Sequence, residues 1–491
     1  MSNPFPILYE DRSGLSDYDA CRRLRWWSRE VLKGRDGHCG GVQPARQSIY
    51  LLIGTAVHHG MNWIMEEARN RDGIDLTCEP ESLPETIESA ASIALATFDE
   101  ARAAQAIYVP DAKTLDQEKW KIREARALVE GLVIVAGMRL MPNLLARFKV
   151  VEVEREKRFT LTSIAMPIVN LPTVVFPGTV SYHTIPGTPI VFESRADALL
   201  EERDTGDLHL LSWKTSGDYG KAEEMQFRHD VQGLSEAVAI EATRIGGEHE
   251  HRLRDPSPVD DCSRVQGIQM ALLLKGRKSR DTASGDDWAD PTSWHGLGPG
   301  LRFHYSPITH GWRMASHGIL PGDDQSQWAW ANRTVKPVNK SGFGKLAKGW
   351  EEVAIFDHYP GGTRQWLIDL MAGRWQPELG DPLEGIVVLP ETWPRSDREM
   401  EDWQEEAKAV VQEIHPNAQL VRDAWDREDW PLVRQLLNRH FKKTRAACGR
   451  RFGSMCWAAD LCWGTDEAWQ EPLALGQYIL RQPHHSLGSD D

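Results

Sequence analysis

SRADALLEERDTGDLHLLSWKTS, residues 194–216, holds two apolar runs around a polar turn, and that arrangement decides how the chain folds. The first run, Pro189 to Leu200, and the second, Leu208 to Lys214, have the length of strands, and Glu201 to Asp207 has the composition of the connection between them. Asp197 then lies on one strand and Lys214 at the tip of the next, where adjacent strands can present both side chains at one sheet edge. Upstream, Val150 to Phe159 (VVEVEREKRF) largely alternates, and downstream a helix is expected from Lys221 to about Thr243. Helix, strands, then helix predicts a mixed α/β core.

Further out, Tyr18 to Leu32 reads as a helix with Ser16 as its N-cap, followed by helices at Ser48 to Arg71, 84–106 and 112–147. Gly, Pro, Asp and Ser dominate Gly246 to Pro258 and Lys278 to Gly300, which read as loops around strands at Val265 to Lys275 and Leu301 to Tyr305. Beyond residue 360 the pattern is helical again, with Trp403, Ala407, Val410 and Ile414 on one apolar face. The expected organisation is a helical region (1–147), a core (148–245), elaborated strands and loops (246–330), a mostly helical region (331–440), a cysteine segment (441–475) and a tail (476–491).

With 41% hydrophobic and 26% charged residues, the composition is that of a soluble globular chain. No targeting stretch opens it, and the most apolar helical run, Leu128 to Met141, is interrupted by Glu130 and Arg139, so no membrane role and a cytoplasmic location are expected. The net charge of −15 argues against indiscriminate nucleic-acid binding. Local basic clusters remain: Arg22, Arg23 and Arg25 near the start, and Arg434, Arg439, Lys442, Lys443, Arg445, Arg450 and Arg451 near the end. These suggest a DNA-facing surface. The 20 tryptophans are scattered and read as core and groove wall.

Cysteines flank both clusters. Cys21 lies in SDYDACRRLRWW, and Cys448, Cys456 and Cys462 crowd into RAACGRRFGSMCWAADLCW, with seven and then five residues between successive thiols. Three thiolates can wrap one side of a 4Fe-4S cluster and a distant fourth can complete it. No pair has the CxxC spacing usual in structural zinc, so zinc is second choice, and ordinary buried thiols are the plain alternative. Seven cysteines in so long a chain do not make a disulfide scaffold, and Cys39, Cys78 and Cys262 read as structural. At the strand edge, an Asp that binds a hard cation and a Lys that orients water or offsets phosphate charge form a minimal set for phosphodiester hydrolysis.

The order of these elements resembles the PD-(D/E)XK nuclease superfamily, in the RecB/AddB-like exonuclease branch that carries a 4Fe-4S cluster, with CRISPR-associated and phage or prophage members. The resemblance runs through most of the chain: the Cys21 helix, GTAVH with His58, the Asp197 strand, WKTS with Lys214, HDVQGLSEA with Gln232, VQGIQMALLLKGRK and the cysteine triplet. It implies a restriction-endonuclease-like mixed β-sheet flanked by helices, with a helical N-terminal region and a C-terminal iron-sulfur clasp. It implies Asp197 as main metal ligand, His58 as a further ligand (His59 is the adjacent alternative), Lys214 as catalytic lysine, and Gln232 as a contact to DNA or water. Cys21, Cys448, Cys456 and Cys462 would hold the 4Fe-4S cluster, and the catalytic cation would be Mg2+ or Mn2+.

One position departs from the pattern. The family places Asp or Glu two residues before the lysine, and here stands Ser212, a poor ligand for a hard cation. Glu223, Glu224 or Glu236 on the following helix could supply a relocated carboxylate. The expected function is a metal-dependent DNA exonuclease for end processing in recombination, repair or phage replication, with a helicase or recombination protein as a candidate partner in a bacterial or phage-infected cell. The alternatives are a catalytically weakened iron-sulfur DNA-binding subunit and a zinc-stabilised structural protein.

Overall fold

The computed structural model describes residues 7–32, 40–45, 47–71, 74, 76, 82–105, 112–172, 182–217, 225, 231–246, 265–276, 297, 301–306, 311–314, 351–374, 383, 386–389, 392–448, 456–474 and 476–481. Cys39, Cys78, Cys262, Glu223, Glu224, Arg450 and Arg451 lie outside them.

A short strand, β1 (Leu8–Asp11), precedes the first helix, α1 (Arg12–Ala20). Asp11, not Ser16, is the cap: its Oδ1 accepts from the Gly14 amide at 2.7 Å. The expected Tyr18 to Leu32 helix is interrupted at Cys21, whose backbone is extended (φ −165°, ψ 114°), before α2 (Arg22–Arg25) continues into a π-helical turn, Trp26–Glu30. After β2 (Val42–Pro44) come α3 (Ile49–Asn70), α4 (Glu85–Ala103), α5 (Ala112–Arg139) and α6 (Met141–Arg147). Ser48 caps α3, and Ile53, Val57, Ile64 and Ala68 form its buried stripe at helical spacing. At Gly60 a Cβ would sit 2.9 Å from the Ala90 carbonyl oxygen, so α3 and α4 approach closely because a side chain is missing. Among the described residues no single helix is long and apolar enough to cross a membrane; the bent α5–α6 pair is so by length and composition together, but Leu132, Val133, Ile134 and Val135 are buried in the core.

The chain is mixed α/β. β3 (Phe148–Val153) and β4 (Glu156–Pro172) split the alternating Val150 to Phe159 stretch between two sheets. The Pro189 to Leu200 run is likewise split, into β5 (Tyr182–Arg195) and β6 (Ala198–Glu202). β4 pairs with β5, which also takes β1 in parallel, while β3 pairs with β6 in the larger sheet. The two long strands therefore bend together, at Glu154 (φ +45°) on one and Asp197 on the other, tied by the Glu154 amide donating to the Asp197 carbonyl at 3.1 Å. Asp197 stands at this corner rather than within a strand.

β7 (Leu208–Ser216) runs antiparallel to β6 and parallel to β8 (Val265–Leu274). β8 is buried along nearly its whole length and β7 from Leu208 to Trp213, as strands covered on both faces must be, while Lys214, Thr215 and Ser216 at the tip of β7 are partly exposed. Between them in sequence lies α7 (Val231–Gly246), shorter than the expected Lys221 to Thr243 helix in its described part. A small antiparallel sheet is formed by β9 (Arg302–Ser306), β10 (Gly311–Met314) and β11 (Glu351–Ala354). α8 (Gly362–Met371) packs on α5. β12 (Val387–Val388) and β13 (Trp393–Pro394) pair with β8 and complete the six-stranded sheet, of order β12-β8-β7-β6-β3 with β13 on β8.

The capping box of Ser396 and Glu399 starts α9 (Asp397–Asp426). Its buried face is Trp403, Ala407, Val411, Ile414 and Ala418; Val410 packs only partly buried beside it. α10 (Trp430–His440) follows. β14 (Tyr478–Leu480), at the start of the expected tail, pairs with β2, so the two ends of the described chain meet. Trp26, Trp27, Val421, Leu437, Phe441 and Leu461 pack into one cluster there.

Candidate functional site

Strand alternation in β7 puts Ser212 and Lys214 on one face and Trp213 on the other. Ser212 is fully buried and points to the corner, its Oγ 3.4 Å from Asp197 Oδ2, and the Trp213 amide donates to the same oxygen at 2.6 Å. Helix α3 runs against this edge. Gly54 brings it close to β7, where a Cβ would lie 3.0 Å from Thr215 Oγ1, and one turn later His58 Nδ1 stands 3.6 Å from Asp197 Oδ1. His59, on the other side of the helix, is exposed. His58 is thus the histidine that joins the corner.

Opposite, α7 is pressed onto β8 at Gly233, where a Cβ would meet Ile268 Cδ1 at 2.3 Å. This brings Gln232 and Glu236, one turn apart, over the β7 edge. Lys214 Nζ donates to Gln232 Oε1, and Gln232 Nε2 donates to Glu236 Oε1 at 2.8 Å. Glu236 is 3% exposed, and its Oε2 has no hydrogen-bond partner among the described residues. Burial first, and the Asp197 charge second, push its carboxyl up to about 8, against the pull of Lys214, Gln232 and Arg12. Asp197 goes the other way: burial raises it, but His58, Lys214 and the Trp213 amide together hold it below the usual carboxylate range. Of the three candidate glutamates, Glu236 is the one the described structure brings to Asp197 and Lys214.

A buried, unsatisfied carboxylate oxygen beside an ionised one is a donor set that suits a hard divalent ion. Among the described residues no group of three or more His, Cys, Asp or Glu side chains is arranged to hold a metal. Two carboxylates fit Mg2+ or Mn2+ better than an all-protein cage would, since such ions keep waters and take substrate phosphates as ligands.

The four thiols are free and lie at the end of the molecule where the termini meet. Cys21 Sγ accepts from the Thr444 amide at 3.3 Å, only four residues before Cys448, and the Cys456 amide donates to the Cys448 carbonyl at 2.9 Å. Burial pushes the Cys462 thiol up to about 11, although Arg23 and Lys443 oppose it. The buried Trp27 indole N–H has no oxygen or nitrogen acceptor among the described residues and lies by the Cys462 thiol. The four cysteines thus lie in one region with N–H donors and cations around them, the chemical setting of a thiolate-bound cluster, although among the described residues no three of the thiols are gathered at ligating distance.

The expected basic surface is corrected at its first half. Arg25 is buried between Glu10 and Glu30, and Arg23 is buried with Nε on the Phe441 carbonyl at 2.7 Å, so both serve the fold. Arg22 pairs with Glu413. Arg434, Arg439, Lys442 and Arg445 remain exposed. Sequence reasoning missed Arg12, which acts on Glu236 across the chain and leaves no local signal, and the Trp213 amide, which the alternation of β7 could have pointed to.

No protein-family model matches this chain, and no curated protein matches it in sequence.

Proposed function

We propose that this chain is a divalent-metal-dependent DNA nuclease with a restriction-endonuclease-like core and a 4Fe-4S clasp of Cys21, Cys448, Cys456 and Cys462. One observation supports the reading: Glu236, on the helix that carries Gln232, is buried with one carboxylate oxygen lacking a hydrogen-bond partner among the described residues and feels the charge of Asp197, so it would supply the carboxylate that Ser212 does not. Asp197 and Glu236 would hold Mg2+ or Mn2+, which when bound supplies a Lewis acid for the phosphate and a more acidic water. Lys214, fixed by Gln232, offsets phosphate charge and orients the attacking water, and His58 holds the outer oxygen of Asp197. DNA end processing, with a helicase or recombination protein as partner, is the setting this chemistry suits.

Turnover of single- and double-stranded DNA with Mn2+ or Mg2+ tests it. Lys214→Ala should lower cleavage by roughly a hundredfold or more. Cleavage indifferent to that change sinks the proposal. Glu236→Gln should be similarly inactive, and Ser212→Asp added to it should restore part of the rate by returning a carboxylate to the strand. Ser212 also favours a second reading, a DNA-binding subunit with decayed catalysis; salt-sensitive binding without hydrolysis under every metal would select it.

A further inference from the structure

A cavity of about 280 Å³ opens beside Cys462, and none of Asp197, Lys214, Gln232, Glu236 or His58 lines it. Three cations (Arg23, Arg434, Lys443) and three indoles (Trp27, Trp463, Trp469) line it, with Asn438 among them. Trp463 is 52% exposed, although large apolar side chains normally withdraw from water, and Lys443 Nζ lies 4.0 Å from its ring centroid. Lys443 is held there by donating to the Cys462 carbonyl. Arg434 stands 5.8 Å from the Trp469 ring and pairs with Asp466, and Arg23 Nη2 donates to Asn438 Oδ1 at 3.0 Å. Arg439, Lys442 and Arg445, at and beyond the end of α10, are exposed as well, outside the cavity lining.

We propose that this cavity binds one unpaired nucleotide of single-stranded DNA, its base stacked on Trp463 and its phosphates against Arg434 and Lys443. Every base offers a π-face, so an exposed indole beside fixed cations is a sequence-tolerant platform for a single strand, and a paired base cannot reach it. In a chain carrying a net −15, a polyanion is drawn to a local positive site rather than to the whole surface. A contact separate from the residues of the cleavage corner would hold an unwound strand at the clasp. The proposal takes its polymer from the nuclease reading but is read out by binding.

The test uses the full-length holoprotein carrying Lys214→Ala and a labelled oligothymidine in fluorescence anisotropy. Trp463→Ala should weaken binding about ten- to hundredfold while blunt duplex binding changes little, and Trp463→Phe should keep most of the affinity. Arg434→Gln, a change on α10 outside the cysteine segment that keeps a side chain able to hydrogen-bond Asp466, should weaken binding and lower the salt slope by about one. Single-strand affinity within about twofold of the parent in both Trp463→Ala and Arg434→Gln overturns the proposal, as does equal loss for blunt duplex. Cleavage assays on the chain with Lys214 intact separate the two ideas: binding through Trp463 without turnover removes the nuclease reading alone, and turnover with single-strand binding unaltered in both Trp463→Ala and Arg434→Gln removes this one alone.

Discussion

At the scale of single residues, the candidate site turns on the contrast between two carboxylates. Asp197 is ionised because His58, Lys214 and a backbone amide surround it, whereas burial and the Asp197 charge hold Glu236 neutral up to about 8. A free carboxyl near 4.5 loses its proton earlier than Glu236 does in the fold, so the unfolded chain sheds this proton first as pH rises. In metal-free buffer the stability tied to Glu236 is therefore full below about 4.5 and declines as pH climbs toward about 8. Glu236→Gln should flatten that decline, and Mg2+ or Mn2+ should raise the parent's midpoint at the alkaline end while leaving the variant unmoved. Thermal unfolding of both proteins on either side of this window, with and without the ion, checks it; a parent whose midpoint does not fall with pH refutes it. Asp197, Lys214, Gln232 and His58 were legible in the sequence as residue types in an order. That Glu236 would lie near them was not, because that depends on how far along α7 the helix touches β8, and Glu223 and Glu224 lie outside the described residues.

At the scale of elements, the change of hydrophobic period announced strands after residue 147, and β7 and β8 fall where continuous apolar runs predict them. The corner at Asp197 carries no local signal in the sequence, because no glycine or proline marks it. It is made by tertiary pairing, with Glu154 in left-handed backbone opposite a run that reads locally as one strand. Helix α7 is set by a small residue in the same way. Its seat on β8 depends on the absence of a side chain at Gly233, so Gly233→Ala forces a methyl into Ile268 Cδ1 and should cost about 1–3 kcal/mol in denaturant unfolding, with a fall in whatever activity Gln232 and Glu236 support. Ile268→Val removes that very atom. The double variant should recover most of the loss, and two single costs that simply add would show that the contact does not set the helix position.

At the scale of the whole molecule, the two ends of the described chain are joined by β2–β14 pairing, by the tryptophan cluster and by a buried ion network, independently of any metal. The sequence hinted at this union only through its cysteines; the arginines beside Cys21 looked like surface, because a buried Arg is recognised only by partners far along the chain. Arg25 donates to both oxygens of Glu10 at 2.8 Å and to Glu30 at 2.7 Å, Arg422 from α9 also pairs with Glu30, and His415 lies 3.4 Å from Glu10. Burial would raise the Glu10 carboxyl, yet Arg25 and His415 hold it down at about 2. Its folded value lies below the ordinary 4.5, so the stability it contributes is full above 4.5 and is lost as pH falls toward about 2. Arg25→Met should destabilise the chain by about 3–5 kcal/mol near neutral pH, since it leaves charge buried without its main partner. In the variant, desolvation governs Glu10, protonation becomes favourable, and acid should narrow the gap to the parent instead of weakening both alike. Urea unfolding of the pair at neutral pH and near pH 4 measures this. A gap that stays constant with pH would mean that Arg25 stabilises by packing alone, and that the ends are held together by their tryptophans rather than by charge.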